Sequence, residues 1–125
     1  MKTLDTNILL RYLLGDDPEQ GEVARKVIED GGFTISEVIM EIIYVLNKHY
    51  KVPKNEIAQS LFSLSHGVDF DNKEIILYAL NVYAEYNLDY VDCLLIARGV
   101  SLKEEIITFD KKIKKVLNSL IEKNG

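Results

Sequence analysis

Short β-like runs alternate along this chain with longer stretches in which apolar residues recur every three to four positions, the pattern of a parallel sheet wrapped by helices. The clearest helical stretch is the last. Across Lys111 to Lys123, residues Ile113, Val116, Leu117, Leu120 and Ile121 follow i, i+3, i+4, i+7, i+8. Brief strands are expected at Met1 to Asp5, Phe33 to Ile35, Gly67 to Phe70 and Glu105 to Thr108. These predict an α/β fold with a central parallel sheet of about four strands surrounded by helices. Caps and breakers divide the rest. Asp17 reads as an N-cap with Pro18 at the first helical position and Gln20 three residues after the cap, and Gly31-Gly32 ends that helix. Ser36 is expected to cap a third helix carrying Val38, Ile39, Ile42, Val45 and Leu46, and Pro53 to open a fourth toward Ser65. Asp71 with Glu74 reads as a capping box for a helix ending near Asn87, and Asp89 with Asp92 starts one reaching about Arg98.

At 125 residues and 47% hydrophobic, the chain has the length and apolar content for one domain, residues 1–125, with a real core. No stretch reaches the ~18 consecutive apolar residues of a membrane span, and the N-terminus lacks the layout of a secretory signal. The expected location is therefore cytoplasmic, with no membrane partner. The single cysteine, Cys93, has no internal disulfide partner and no His or Cys cluster around it, so it reads as a small buried residue. A net charge of -5 excludes a protein that holds nucleic acid mainly by bulk positive charge. It does not exclude a metal-dependent nuclease, because carboxylates that ligate a cation are neutralised by it.

In open parallel sheets the functional crevice lies beyond the carboxyl ends of the strands. Asp5 ends the first strand and Asp110 follows the last, so both belong to that rim, and Asp92 falls in the first turn of a helix that can face it. Glu41 is placed at the edge of an apolar stripe beside Val38 and Val45, where a carboxylate is expensive unless paired or bound to a cation. Four converging carboxylates would stay ionised only with a cation present, and such hard oxygen ligands suit Mg²⁺ or Mn²⁺. The chemistry that follows is phosphodiester hydrolysis. Thr6, Asn7 and Thr108 are placed to hydrogen-bond these carboxylates. Each carboxylate also has a structural reading: Asp5 and Asp92 as complements to helix dipoles, Asp110 as a helix N-cap, Glu41 as a solvated edge residue.

Taken in order, these segments resemble the PIN domain, specifically the single-domain VapC-type toxin ribonucleases of toxin–antitoxin pairs. "LDTNILLRYLL" matches the opening strand and Asp-Thr-Asn helix, "ISEVIMEIIYVL" the helix with a central Glu, "LDYVDCLLIARG" the Asp at a helix start, and "IITFD" the strand ending in Thr-x-Asp. The match runs from Met1 to about Lys115. The resemblance implies a three-layer α/β/α fold and an endoribonuclease whose Asp5, Glu41, Asp92 and Asp110 hold Mg²⁺ or Mn²⁺, with Thr6, Asn7, Asp89 and Thr108 beside them. It further implies an RNA substrate, a homodimer, and an antitoxin that inserts a helix and basic side chains into the acidic groove. One departure is the helical pattern from Lys111 to Lys123, where such toxins commonly add a short strand. Two other readings stay open: an RNA-processing nuclease with no antitoxin, and a non-catalytic domain whose acidic groove binds a basic partner. The tyrosines Tyr78, Tyr83, Tyr86 and Tyr90 could contact RNA bases or serve packing, and Lys111, Lys112, Lys114 and Lys115 could steer phosphate or simply be a solvated face.

Overall fold

Most helix starts sit where the sequence supplies a cap or a proline. In the computed structural model, which describes residues 2–124, α1 (Thr6–Leu14) begins behind Asp5, whose Oδ1 accepts from the Ile8 N–H at 3.1 Å. Gly15 ends that helix at φ 61°, the left-handed region where a residue without Cβ is unstrained. Helix α2 (Pro18–Glu29) repeats the device as expected: Asp17 Oδ1 accepts from the Gln20 N–H at 3.0 Å and Pro18 occupies the first turn.

Two expected caps are displaced. Helix α3 (Ser36–Tyr44) starts at Ser36 itself, with Ile35 as the capping position and no side-chain bond, so Ser36 is not the cap. A π-helical turn, Val45–His49, continues it. Helix α4 (Lys54–Leu64) follows Pro53. Helix α5 (Lys73–Glu85) starts at Lys73 behind Asn72, which takes φ 54°, so Asp71 lies one residue too early to cap it. Helix α6 (Tyr90–Ser101) has Asp89 at the cap position without a side-chain bond. Asp110 does cap α7 (Lys111–Asn124), its Oδ1 accepting from the Lys112 and Ile113 N–H groups at 2.8 and 3.0 Å.

The chain divides into two compact units, Met1–Lys73 and Glu74–Gly125. In the first, β1 (Phe33–Thr34) pairs in parallel with β2 (Asp69–Phe70), Phe33 opposite Asp69 and Thr34 opposite Phe70. The segment leading to α1 joins the same sheet only through a bridge from Thr3 to Phe33, reinforced by the Leu4 N–H donating to Phe33 O at 2.7 Å. Thr34 is fully buried, and its hydroxyl donates to Leu4 O at 2.8 Å, tying the sheet to the turn that presents Asp5. Leu9, Ile39, Ile42, Ile57, Leu61 and Val68 form the core around it. Helix α1 packs on α2 and on α3.

In the second unit, α6 packs on α7. The apolar stripe read from the sequence is the face that docks: Ile113, Val116, Leu117 and Leu120 are buried, each worth about 1.5–3 kcal/mol, while Ile121 is exposed. The contact depends on Gly99, where a Cβ would lie 2.8 Å from Leu117 Cδ1 and 3.1 Å from Ile106 Cγ1. Tyr83 and Tyr90 are buried edge to face, ring centroids 5.9 Å apart, and Cys93 is fully buried as expected.

The fold is α/β, mostly helical with a small parallel sheet. Among the described residues that sheet has two strands rather than about four. Met1 lies outside the described residues, and the rest of the expected first strand contributes one bridge because the chain turns into α1 at Thr6. Glu105 to Thr108 has strand composition but is irregular: Ile106 turns toward Gly99, while Ile107 is 83% exposed and no ladder partner pairs with the segment among the described residues. No helix among the described residues is long and apolar enough to cross a membrane.

Candidate functional site

The first unit carries Asp5, Thr6, Asn7 and Glu41. Asp5 is exposed at the start of α1, with one carboxylate oxygen held by the cap bond and hence oriented by the helix. Thr6 is half-buried and Asn7 exposed. Asp5 and Asn7 line a cavity of about 490 Å³ together with Arg11, Asp17, Gln20 and Val23. Arg11, one helical turn after Asn7, also lines this cavity, and its four-residue spacing from Asn7 is the sequence signal that places it there. Its guanidinium is held above its ordinary pKa by a hydrogen bond with Tyr50 and by the Asp16 carboxylate at 2.8 Å. Its charge is therefore shared with Asp16 rather than aimed at Asp5. Glu41 is exposed on α3 and is not part of that cavity wall, so the desolvation cost expected of a carboxylate at an apolar edge is absent there.

The second unit carries Asp89, Asp92, Thr108 and Asp110, and here carboxylates lie near enough to act on one another. Asp92, half-buried in the first turn of α6, has its carboxyl pushed above the usual range, first by burial and then by the charges of Asp89 and Asp110. Asp89 precedes α6 and Asp110 precedes α7, so all three anions sit at helix N-termini, whose dipoles favour negative charge. Thr108 has a positioning role: its hydroxyl accepts from the Asp110 N–H at 3.0 Å and holds the turn that presents the carboxylate. Lys112 then joins Asp110 to the end of α5, its backbone N–H on Asp110 Oδ1 and its ammonium on Asn87 O.

Neither unit by itself gathers three or more His, Cys, Asp or Glu side chains into a set that could hold a metal ion, among the described residues. The second unit supplies instead a looser cluster of three like charges, close enough to raise the proton affinity of the central one. A cation relieves that repulsion, and the donors are hard carboxylate oxygens with neither thiolate nor imidazole among them, a chemistry matched to Mg²⁺ or Mn²⁺ rather than to zinc or copper. Apolar residues also reach solvent beside the cluster. Phe109, between Thr108 and Asp110, is wholly exposed, and no local sequence signal marks an aromatic residue there as left in water.

A family model described as PIN domain matches residues 2–117. No curated protein and no solved structure matches the chain.

Proposed function

Because the chain belongs to the PIN domain family, whose members are generally metal-dependent nucleases acting on RNA, we propose that it is an endoribonuclease using Mg²⁺ or Mn²⁺ held by Asp5, Glu41, Asp92 and Asp110. The observation that carries this reading is Asp92, a half-buried carboxyl at a helix start whose proton affinity is raised by burial and then by the charges of Asp89 and Asp110. When bound, a divalent cation supplies Lewis acidity at the scissile phosphate and a means of activating water. The chain's own groups orient the site. Backbone N–H groups of Ile8, Lys112 and Ile113 hold one oxygen each of Asp5 and Asp110, leaving the second oxygen of each carboxylate directed by a rigid helix end. Thr108 fixes the Asp110 turn, and Thr6, Asn7 and Asp89 flank the ligands.

The finer reading is the toxin of a toxin–antitoxin pair, acting as a homodimer in the cytoplasm and restrained by an antitoxin. What supports it is the four ordered segments from "LDTNILLRYLL" to "IITFD". A small neighbouring gene encoding a DNA-binding protein with an unstructured tail separates the toxin from an RNA-processing nuclease. For the activity itself, total RNA incubated with the purified chain should be cleaved with Mg²⁺ or Mn²⁺ and left intact with EDTA. Asp5→Asn and Asp92→Asn should each lower cleavage by at least about 100-fold, the scale of lost metal ligation. Full activity in both variants sinks the proposal and leaves the acidic groove as a protein-binding surface.

A further inference from the structure

An acidic chain has, in one place, a basic wall. Four of the five residues from Lys111 to Lys115 are lysines, in a protein of net charge -5. Lys111, Lys112 and Lys115 line a cavity of about 580 Å³ in the second unit with Tyr86, Val116 and Ser119. Lys111 and Lys115 lie one helical turn apart, about 6 Å along α7. Their ammonium groups can follow successive phosphates of an extended strand. Lys112, in the same wall, donates its ammonium to Asn87 O while its backbone N–H donates to Asp110 Oδ1, which links the wall to one member of the carboxylate cluster. Beside Asp110 stands Phe109, an aromatic ring left entirely in water.

Lysines interleaved with aromatic rings are the chemistry of single-stranded nucleic acid: ammonium groups follow the backbone and rings receive unstacked bases. A duplex offers no such base faces. We propose that this groove seats the single-stranded RNA substrate in the second unit, with phosphates on Lys111 and Lys115, one base against Tyr86, and Phe109 stacking the base nearest Asp110. The choice of RNA rests on the nuclease reading; the single-strand chemistry rests on the groove. The arrangement also answers how an acidic protein approaches a polyanion: the attraction is local to the lysine run, which begins one residue after Asp110.

The test is fluorescence anisotropy with a short labelled single-stranded RNA of mixed sequence, in EDTA so that nothing is cut. Lys111→Ala/Lys115→Ala should weaken binding and flatten the log–log salt slope by about 1.4, two phosphate contacts at about 0.7 each. Tyr86→Ala and Phe109→Ala should each weaken binding about fivefold or more, and Tyr86→Phe should bind as wild type. Lys123→Ala, about 12 Å beyond Lys115 along α7, should change neither affinity nor slope. Far-UV dichroism checks that the variants are folded, as exposed lysine sites allow. No binding by the wild-type chain, an unchanged slope in the double variant, or duplex RNA bound as tightly as single-stranded RNA each overturns the groove. If the double variant binds like wild type while wild type still cleaves with Mg²⁺, the groove fails and the nuclease reading stands. Groove-dependent binding with no cleavage under any metal gives the reverse.

Discussion

Asp5 and Asp92 are both carboxylates at helix starts, yet their surroundings give opposite expectations for the same substitution. Asp5 is exposed and its structural task is to accept one backbone N–H, which Asn does about as well. Asp5→Asn should therefore leave the melting temperature unchanged while removing cleavage, whereas Asp5→Ala should also destabilise by about 1 kcal/mol in urea denaturation. Asp92 carries the opposite balance. Its carboxyl is raised by burial and by Asp89 and Asp110, so the folded state favours the protonated form. The contribution is fully present below the unfolded pKa near 3.8 and is lost as pH rises through the higher folded value, which means that ionised Asp92 opposes folding at neutral pH. In EDTA, Asp92→Asn should then melt higher than wild type at pH 7, with the gap closing as pH falls toward 4. Equal melting temperatures across that range would show that Asp92 is not strained by its neighbours. These two carboxylates were both readable as candidates from position alone. What the sequence could not supply was the difference between them, because burial and the approach of Asp89 and Asp110 arise only on folding.

Among the elements, the starts of α1, α2 and α7 follow the residues that announce them, since capping is a bond between a side chain and an N–H two or three residues away, and α4 starts directly behind Pro53 without such a bond. Two starts are shifted by one residue from the side chain expected to cap them, to Ile35 before Ser36 and to Asn72 after Asp71. Helix α7 also shows the limit of the pattern: its apolar stripe names the buried face but says nothing of Gly99 on α6, the position that lets α6 and α7 come together. Gly99→Ala raises helix propensity by about 1 kcal/mol but places a methyl group between Leu117 and Ile106, an overpacking that costs about 1–3 kcal/mol. The net expectation is a loss of about 1 kcal/mol in urea denaturation. Combined with Leu117→Ala, which removes the closest atom, Gly99→Ala should cost less than it does alone, a coupling that a double-mutant cycle measures directly. Additive losses would mean that the two side chains do not compete for the same space.

At the scale of the whole chain, the order of chemical segments was readable while the extent of the sheet was not. Residues 2–117 match one family, and the four short segments that resemble it keep their order, which is legible in a string of letters. A strand is not, because its stability comes from partners: "EIIT" has the β-branched composition, but Ile107 and Phe109 remain in water and no ladder forms among the described residues. Net charge likewise carries no arrangement, since a total of -5 includes the run of lysines that opens α7. The tyrosines are divided just as unevenly. The chain has no tryptophan; Tyr12, Tyr44 and Tyr50 of the first unit are exposed, whereas Tyr83 and Tyr90 of the second are buried edge to face. Burial pushes the Tyr83 phenol up to about 12 and the Tyr90 phenol higher still. Near-ultraviolet dichroism and tyrosine absorbance thus act as a built-in optical reporter of residues 74–125, while the amide signal averages over both units; comparing the two melts reveals whether the halves come apart together.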